Sequence, residues 1–294
     1  MKNLEKLAEE VKAAMEELSD KEIKIYHGLN RNGKPMTGLT IRDPYINTTP
    51  VVYIDPEKDF DIPVKKLAKT ILDVIEENMP KWDFDASQFT DYERAKKRII
   101  MTLVSKSYNE ELLKKVPYVN VTNDLVVIFK YNIMNRPGQA ANIVVHNEHM
   151  EGWGVSVAEL FNVARTNTPV LFPVEITKLS SFASERMQRP VEDAGYYILT
   201  NEQKLSGATA MVYPSLLKKL CGMHRCQKLL ILPSSVNDLL FYPVANDRTL
   251  DWMIKESLMM VHEVNATLEP GDFLSDSVYV YDGLENKLTS CSME

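Results

Sequence analysis

Apolar residues recur at three- and four-residue spacing from the start of the chain, at Leu4, Leu7, Val11, Ala14, Met15 and Leu18, with glutamates and lysines between them. That period predicts an amphipathic helix with one buried face. Glu22–Leu29 and Met36–Ile41 are extended runs flanking Asn30-Arg31-Asn32-Gly33, which reads as a β-hairpin, and Pro50–Ile54 is a third β-rich run. A second helical period covers Pro63–Asn78 through Val64, Leu67, Ala68, Ile71, Leu72 and Ile75, with Pro63 suited to its first turn and Pro80 just past its end. Tyr92–Ser105 reads as a further helix, and Asn109–Lys115 as a short one stopped by Pro117.

Beyond residue 120 the pattern turns β-rich. Asp124–Tyr131 and Ala140–His146 are valine- and isoleucine-rich runs around the turn formers Asn135, Pro137 and Gly138, as expected of an antiparallel pair covered on both faces. Ser156-Val157-Ala158-Glu159 fits a capping box, in which serine and glutamate satisfy free N–H groups at the start of a helix, here expected to reach about Thr166. Val170–Ile176 reads as a strand and residues 177–194 as a surface loop. Tyr196–Asn201 and Ala208–Tyr213 read as strands joined by a polar turn with Gly207. Pro214 then opens a helix to Leu220. Lys228–Leu232 and Leu239–Val244 are strands around Pro233-Ser234-Ser235. A helix from Leu250 to about Val264 and a hairpin of Ser277–Tyr281 with Lys287–Thr289 complete the chain. The expected class is α+β, with mainly antiparallel sheets and helices packed on one side. The chain divides into an N-terminal helix/β-hairpin/helices unit, 1–115, and a C-terminal α+β unit, 116–294, unless the two form one continuous domain.

Composition narrows the function classes. The 294 residues are 45% hydrophobic and 26% charged, as in an ordinary soluble globular protein. Lysine plus arginine total 34 against 41 acidic residues, a net charge of −7, which argues against direct nucleic-acid binding because phosphate contacts need clustered positive charge. Lys96, Lys97 and Arg98 form the one compact basic cluster and read as a solvated helix face. Three cysteines and a charged first segment fit neither a disulfide framework nor a signal peptide, so the expected compartment is the reducing cytoplasm. Apolar runs such as Leu125–Phe129 and Leu229–Leu232 fall far short of the ~20 residues of a membrane span.

Several stretches carry a resemblance when read in order: DLVVIF from Asp124, IVVHN followed by Trp153, AELFNVARTNT from Ala158, YYILTN with GATAMVY, ILPSSVNDLLFYPV, and LSDSVYVYDG from Leu274. Together they resemble an uncharacterised Firmicutes family, domain of unknown function 5688, and more distantly another conserved bacillus family. The resemblance covers roughly Asp124 to Gly283 closely and the N-terminal third more loosely. It implies a phage or integrative-element context and supplies no catalytic residues. The sequence departs from the family pattern at His146 and His149.

Candidate chemistry concentrates in NIVVHNEHMEGW, Asn142 to Trp153. His146 and His149 form an H-x-x-H pair that can share a zinc or manganese ion, with Glu148 or Glu151 as an oxygen ligand or base. The pair is one residue too close for the HExxH helix motif, Gly152 and Gly154 are expected to break a helix there, and a third ligand is missing. The competing reading is a polar strand-to-helix turn in which Trp153 holds the helix against the sheet and Ser156 and Glu159 cap the next one. Cys221 and Cys226, with His224 between them, offer soft ligands but lack a second pair, and read as free thiols. Ser234 and Ser235 follow a strand without a G-x-S-x-G elbow and read as turn residues, with Asp238 helping. Asp55, Glu57, Asp59 and Asp61 lie within seven residues and can face a basic partner protein. The reading reached from sequence is a non-enzymatic protein of mobile-element or phage origin that binds a protein partner, inhibition of a nucleic-acid-targeting defence enzyme being one such role. The alternative is a metal-dependent hydrolase or nuclease using His146, His149 and Glu148.

Overall fold

The computed structural model describes residues 4–29, 35–43, 49–79, 84–136, 139–245, 247–269 and 271–293. The chain folds into two compact units, Met1–Ala86 and Ser87–Glu294. Within them the described residues form three antiparallel sheets with helices, the α+β class.

The first unit contains α1 (Leu4–Glu16), β1 (Glu22–Leu29), β2 (Pro35–Arg42), β3 (Val52–Tyr53) and α2 (Val64–Glu77). β1 pairs with β2 and β2 with β3. The two helical stripes read from the sequence meet here. Leu7, Val11 and Met15 of α1 and Leu67, Ile71 and Ile75 of α2 close one core with Ile23, Leu39 and Ile41 of the sheet. The hairpin turn 30–33 lies outside the described residues.

The second unit opens with α3 (Ser87–Thr90), α4 (Tyr92–Ala95), β4 (Ile99–Ser105), α5 (Glu110–Leu113), β5 (Tyr118–Asn120), β6 (Leu125–Arg136), β7 (Gln139–Val144), α6 (Asn147–Trp153) and α7 (Val157–Leu171). It continues with β8 (Val174–Lys178), α8 (Leu179–Met187), β9 (Tyr197–Asn201), α9 (Leu216–His224), β10 (Lys228–Pro233), β11 (Leu239–Val244), α10 (Leu250–Asn265), β12 (Val278–Asp282) and β13 (Lys287–Cys291). β4 pairs along its whole length with Leu125–Tyr131 of β6, and β5 and β7 pair with β6 as well. The larger sheet runs β13-β12-β10-β11-β9-β8. Leu230, Leu232, Val244 and Val278 face Leu258 and Val261 of α10. The alternate residues Leu229 and Ile231 are buried on the other face.

Four stretches differ from the sequence reading. The helix expected over Tyr92–Ser105 ends at Ala95, and a 3₁₀ turn leads into β4, whose seven residues are all buried. One edge of β4 is taken by β6. On the other, the backbone N–H groups of Met101 and Leu103 donate to Thr168 Oγ1 at 2.9 Å and Thr209 Oγ1 at 3.1 Å, so side chains replace a neighbouring strand. Pairing with β6 ties residues 99–105 to the second unit, so the 115/116 boundary falls within that unit. α7 runs five residues past Thr166, where the strand was expected to begin at 170, and its Pro169 sits in the last turn. The loop expected over 177–194 contains α8, stabilised where Ser184 Oγ donates to the Ser180 carbonyl at 2.7 Å and accepts from Val191 N–H at 2.9 Å. Ala208–Tyr213 is not a strand but belongs to a 3₁₀ helix, Gly207–Val212. The backbone at Gly207 passes so close to Asn237 and Thr200 that a Cβ there would lie 2.2 Å from an oxygen of each. No helix among the described residues is long and apolar enough to cross a membrane.

Candidate functional site

The histidine turn forms where β7 gives way to α6. The backbone N–H of His146, at the N-cap, donates to His149 Nδ1 at 2.9 Å, which fixes that ring with its proton on Nε2 when neutral. Burial, and then His146, hold the His149 pKa below its usual value, with Glu148 opposing them. The two imidazole centroids are 5.6 Å apart, and Glu148 and Glu151 are exposed. Among the described residues, no three or more His, Cys, Asp or Glu side chains converge to hold a metal ion. The glycines do not prevent the helix: Gly152 lies inside α6, and Gly154 at φ +67° closes it in the left-handed region open to glycine. Trp153 packs edge-on to Phe89 at 5.2 Å and against Tyr92 at 5.7 Å, and its Nε1–H donates to the Phe89 carbonyl at 3.1 Å. It therefore fastens α6 to α3 and α4, and reaches the sheet through Phe89, which packs on Tyr131 of β6. Ser156 Oγ caps α7 by accepting from Glu159 N–H at 3.2 Å. Burial, reinforced by the Glu159 carboxylate, pushes the Tyr92 hydroxyl up to about 12.

In the first unit, much of the acidic loop is spent on its own turn. Asp59 Oδ2 accepts from Asp55 N–H at 2.8 Å and Asp55 Oδ1 from Glu57 N–H at 2.9 Å, while Lys58 pairs with Asp55 at 3.0 Å. Glu57 and Asp61 are exposed. The basic cluster is also more than a solvated face. Arg98 donates to the carbonyls of Asn132 at 2.6 Å and Ile133 at 2.8 Å, where β6 bulges against β7, and Lys96 pairs with Glu93. Ser235 Oγ bonds Asp238 at 3.1 Å and accepts from Asn237 N–H at 2.9 Å, as expected of turn serines. The three cysteines are free. Burial, then Cys226, pushes the Cys221 thiol up to about 12, which keeps it protonated and unreactive.

Two features had no single signal in the sequence. The first is a buried polar network joining the two sheets of the second unit. Asp124 Oδ2, at the start of β6, accepts from Ser275 Oγ at 2.5 Å and from the Tyr279 hydroxyl of β12 at 2.7 Å, and Thr122 Oγ1 donates to Oδ1 at 2.8 Å. Burial raises the Asp124 pKa, but the three hydroxyls outweigh it and leave the carboxyl below its usual range. Ser275 and Tyr279 are almost fully buried, whereas Asp124 and Thr122 are partly exposed. Asp124 opens DLVVIF and the other two lie in LSDSVYVYDG, motifs 151 and 155 residues apart that the fold brings into contact.

The second feature lies beside α10. A cavity of about 170 Å³ is bounded by Leu179, Leu232, Leu240, Met260, Val261 and Val264, with Tyr196 and Ser234 at its wall. The same helix exposes Trp252 (65%), Met259 (49%), Met260 (42%) and Val264 (44%). Met260 and Val264 thus reach both the cavity and the surface. Asp251, Glu256 and Glu263 are exposed along the helix against a single lysine, Lys255.

The fold and these surfaces define a two-unit, antiparallel α+β protein in which the outer face of α10 exposes large apolar side chains interspersed with Glu256 and Glu263. The chain belongs to the family of unknown function DUF5688, whose model matches residues 2–283. No curated protein and no solved structure matches it.

Proposed function

We propose that this protein acts without catalysis, by binding a protein partner through the outer face of α10. The observation that supports the reading is the exposure of Trp252, Met259, Met260 and Val264 on that helix. A tryptophan, two methionines and a valine on one well-packed helix give a partner large anchors and adaptable contacts, features typical of interface hot spots. Exposed carboxylates on the same helix favour a basic partner. An enzyme that acts on nucleic acid presents such a surface, which fits the inhibitor role and the mobile-element context raised by the sequence. The acidic loop, with Asp55 and Asp59 engaged in its turn, is a weaker candidate for the same task.

The test is affinity capture from a bacterial lysate with the wild-type chain and with Trp252→Glu/Met259→Glu. Both side chains are largely exposed, so the variant keeps its melting temperature. The reading expects a partner held by wild type and lost from the variant. Equal capture by both proteins would overturn it.

A further inference from the structure

We infer that the cavity beside α10 is a socket for one aromatic side chain of the partner, with lysine or arginine on either side of that ring. The inference rests on the reading of α10 as a protein-binding face and names the chemistry of what it binds. Size is the first argument: the cavity measures about 170 Å³. An enclosed apolar cavity of roughly 150 Å³ takes up a benzene ring, and this one, open to solvent on the side of Met260 and Val264, has the volume for one ring. An aromatic side chain therefore fills this one, whereas a methyl or isopropyl group leaves much of it empty and forfeits dispersion contacts.

The lining is the second argument. It combines the start of α8 (Leu179), strands β10 and β11 (Leu232, Pro233, Leu240) and the Met260–Val264 row of α10, and it contains no charged side chain. Bare carboxylate or ammonium groups are costly to desolvate in such a space. Tyr196 and Ser234 complete the wall, whose accessible surface is almost wholly apolar, as suits the face of an aromatic ring. At the mouth, Met260 has three rotatable bonds, so it can swing aside and close again over an inserted ring.

Charge is the third argument. Glu256 and Glu263, one turn before and one turn after Met260, flank the mouth along the helix axis, Lys255 being the one exposed lysine on α10, and the whole chain carries a net charge of −7. A neutral ring approaching with cations on either side is attracted, and one flanked by acids is repelled.

The experiment uses the full chain with ¹³C-labelled methionine methyl groups, read at Met260. Three probes are titrated: indole, the capped peptide Lys-Lys-Trp-Lys-Lys, and its counterpart Glu-Glu-Trp-Glu-Glu. The expected result is a saturable shift of the Met260 methyl with indole. The lysine peptide should bind at least about tenfold more tightly than the glutamate peptide at low salt, a gap that narrows as salt is added. Val264→Trp, placed at an exposed position at the mouth, should fold normally and abolish the response to all three probes; Leu240→Phe fills the cavity from the sheet side and should do the same.

A Met260 methyl unmoved by indole would sink the inference, as would a response that survives both filling variants. Equal affinity for the two peptides would replace the basic partner by a small neutral ligand. A Met260 shift that depends on protein concentration without any probe would replace it by a second copy of this chain. The function reading fails on different grounds, when capture is indifferent to Trp252→Glu/Met259→Glu; if capture depends on those residues and indole is inert, only the socket is lost.

Discussion

Tyr279→Phe isolates one contact in the core of the second unit. The phenyl ring stays in place, so no cavity opens, and the single change is loss of a hydroxyl that donates to Asp124 Oδ2 at 2.7 Å and lies 2.7 Å from Ser275 Oγ. Hydrogen bonds to a charged group contribute about 1.5–3 kcal/mol, and Asp124 keeps its donors Ser275 and Thr122, which places the loss near 2 kcal/mol. In a domain of this size each kcal/mol moves the melting temperature by roughly 2–4 °C, so the variant should melt about 4–8 °C lower at pH 7. Acid supplies an internal control. The Asp124 carboxyl titrates below its ordinary value of 3.8 in the folded protein, so its stabilisation is present above that pH and is lost as pH falls through the folded pKa. The gap between wild type and variant should therefore shrink towards pH 3. Near-UV circular dichroism, which reports packed tyrosines, follows the transition at each pH. A variant melting within a degree of wild type at pH 7, or a gap unchanged at pH 3, would refute the claim that the hydroxyl serves an ionised Asp124.

The same physical reading makes further predictions. Trp153→Ala removes the half-buried indole from Phe89 and Tyr92 together with its N–H bond, and chemical denaturation should show a loss of about 2–3 kcal/mol. His149 should titrate below 6.5 by imidazole NMR; because its folded pKa is depressed, stability is full above that pH and falls as pH drops through the folded value, and His149→Phe should abolish this slope. Gly207→Ala drives a methyl to 2.2 Å from two oxygens, so destabilisation of about 3 kcal/mol or poor soluble yield is expected, and wild-type-like melting would contradict the packing described at that turn.

Legibility from the sequence followed periodicity. α1 and α2 carry unambiguous 3.6-residue stripes, and the pairs β1–β2, β10–β11 and β12–β13 are runs bounded by turn residues, so each element lies close to where the pattern put it. β4 was hidden because IIMTLVS follows the helix-favouring ERAKKR, and a fully buried strand has no alternation to distinguish it from a buried helix. Gly207–Val212 was misread because β-branched residues suggest extension, whereas contact with Asn237 and Thr200, distant in sequence, decides the backbone. At the site level, the capping by Ser156 is local and was readable, as was the turn role of Ser235. The grouping of Asp124, Ser275 and Tyr279 was not, since it depends on tertiary contact across 151 residues or more. The socket beside α10 was equally hidden, because it is the space left between α8, two strands and α10.

The central claim is that α10 is the binding face. Its most direct test is hydrogen–deuterium exchange of the protein alone and in complex with the captured partner. The account predicts slowed exchange concentrated in residues 250–265 and in the adjoining segment 232–240. Slowed exchange at residues 55–61 or 146–153, with 250–265 unchanged, would contradict it.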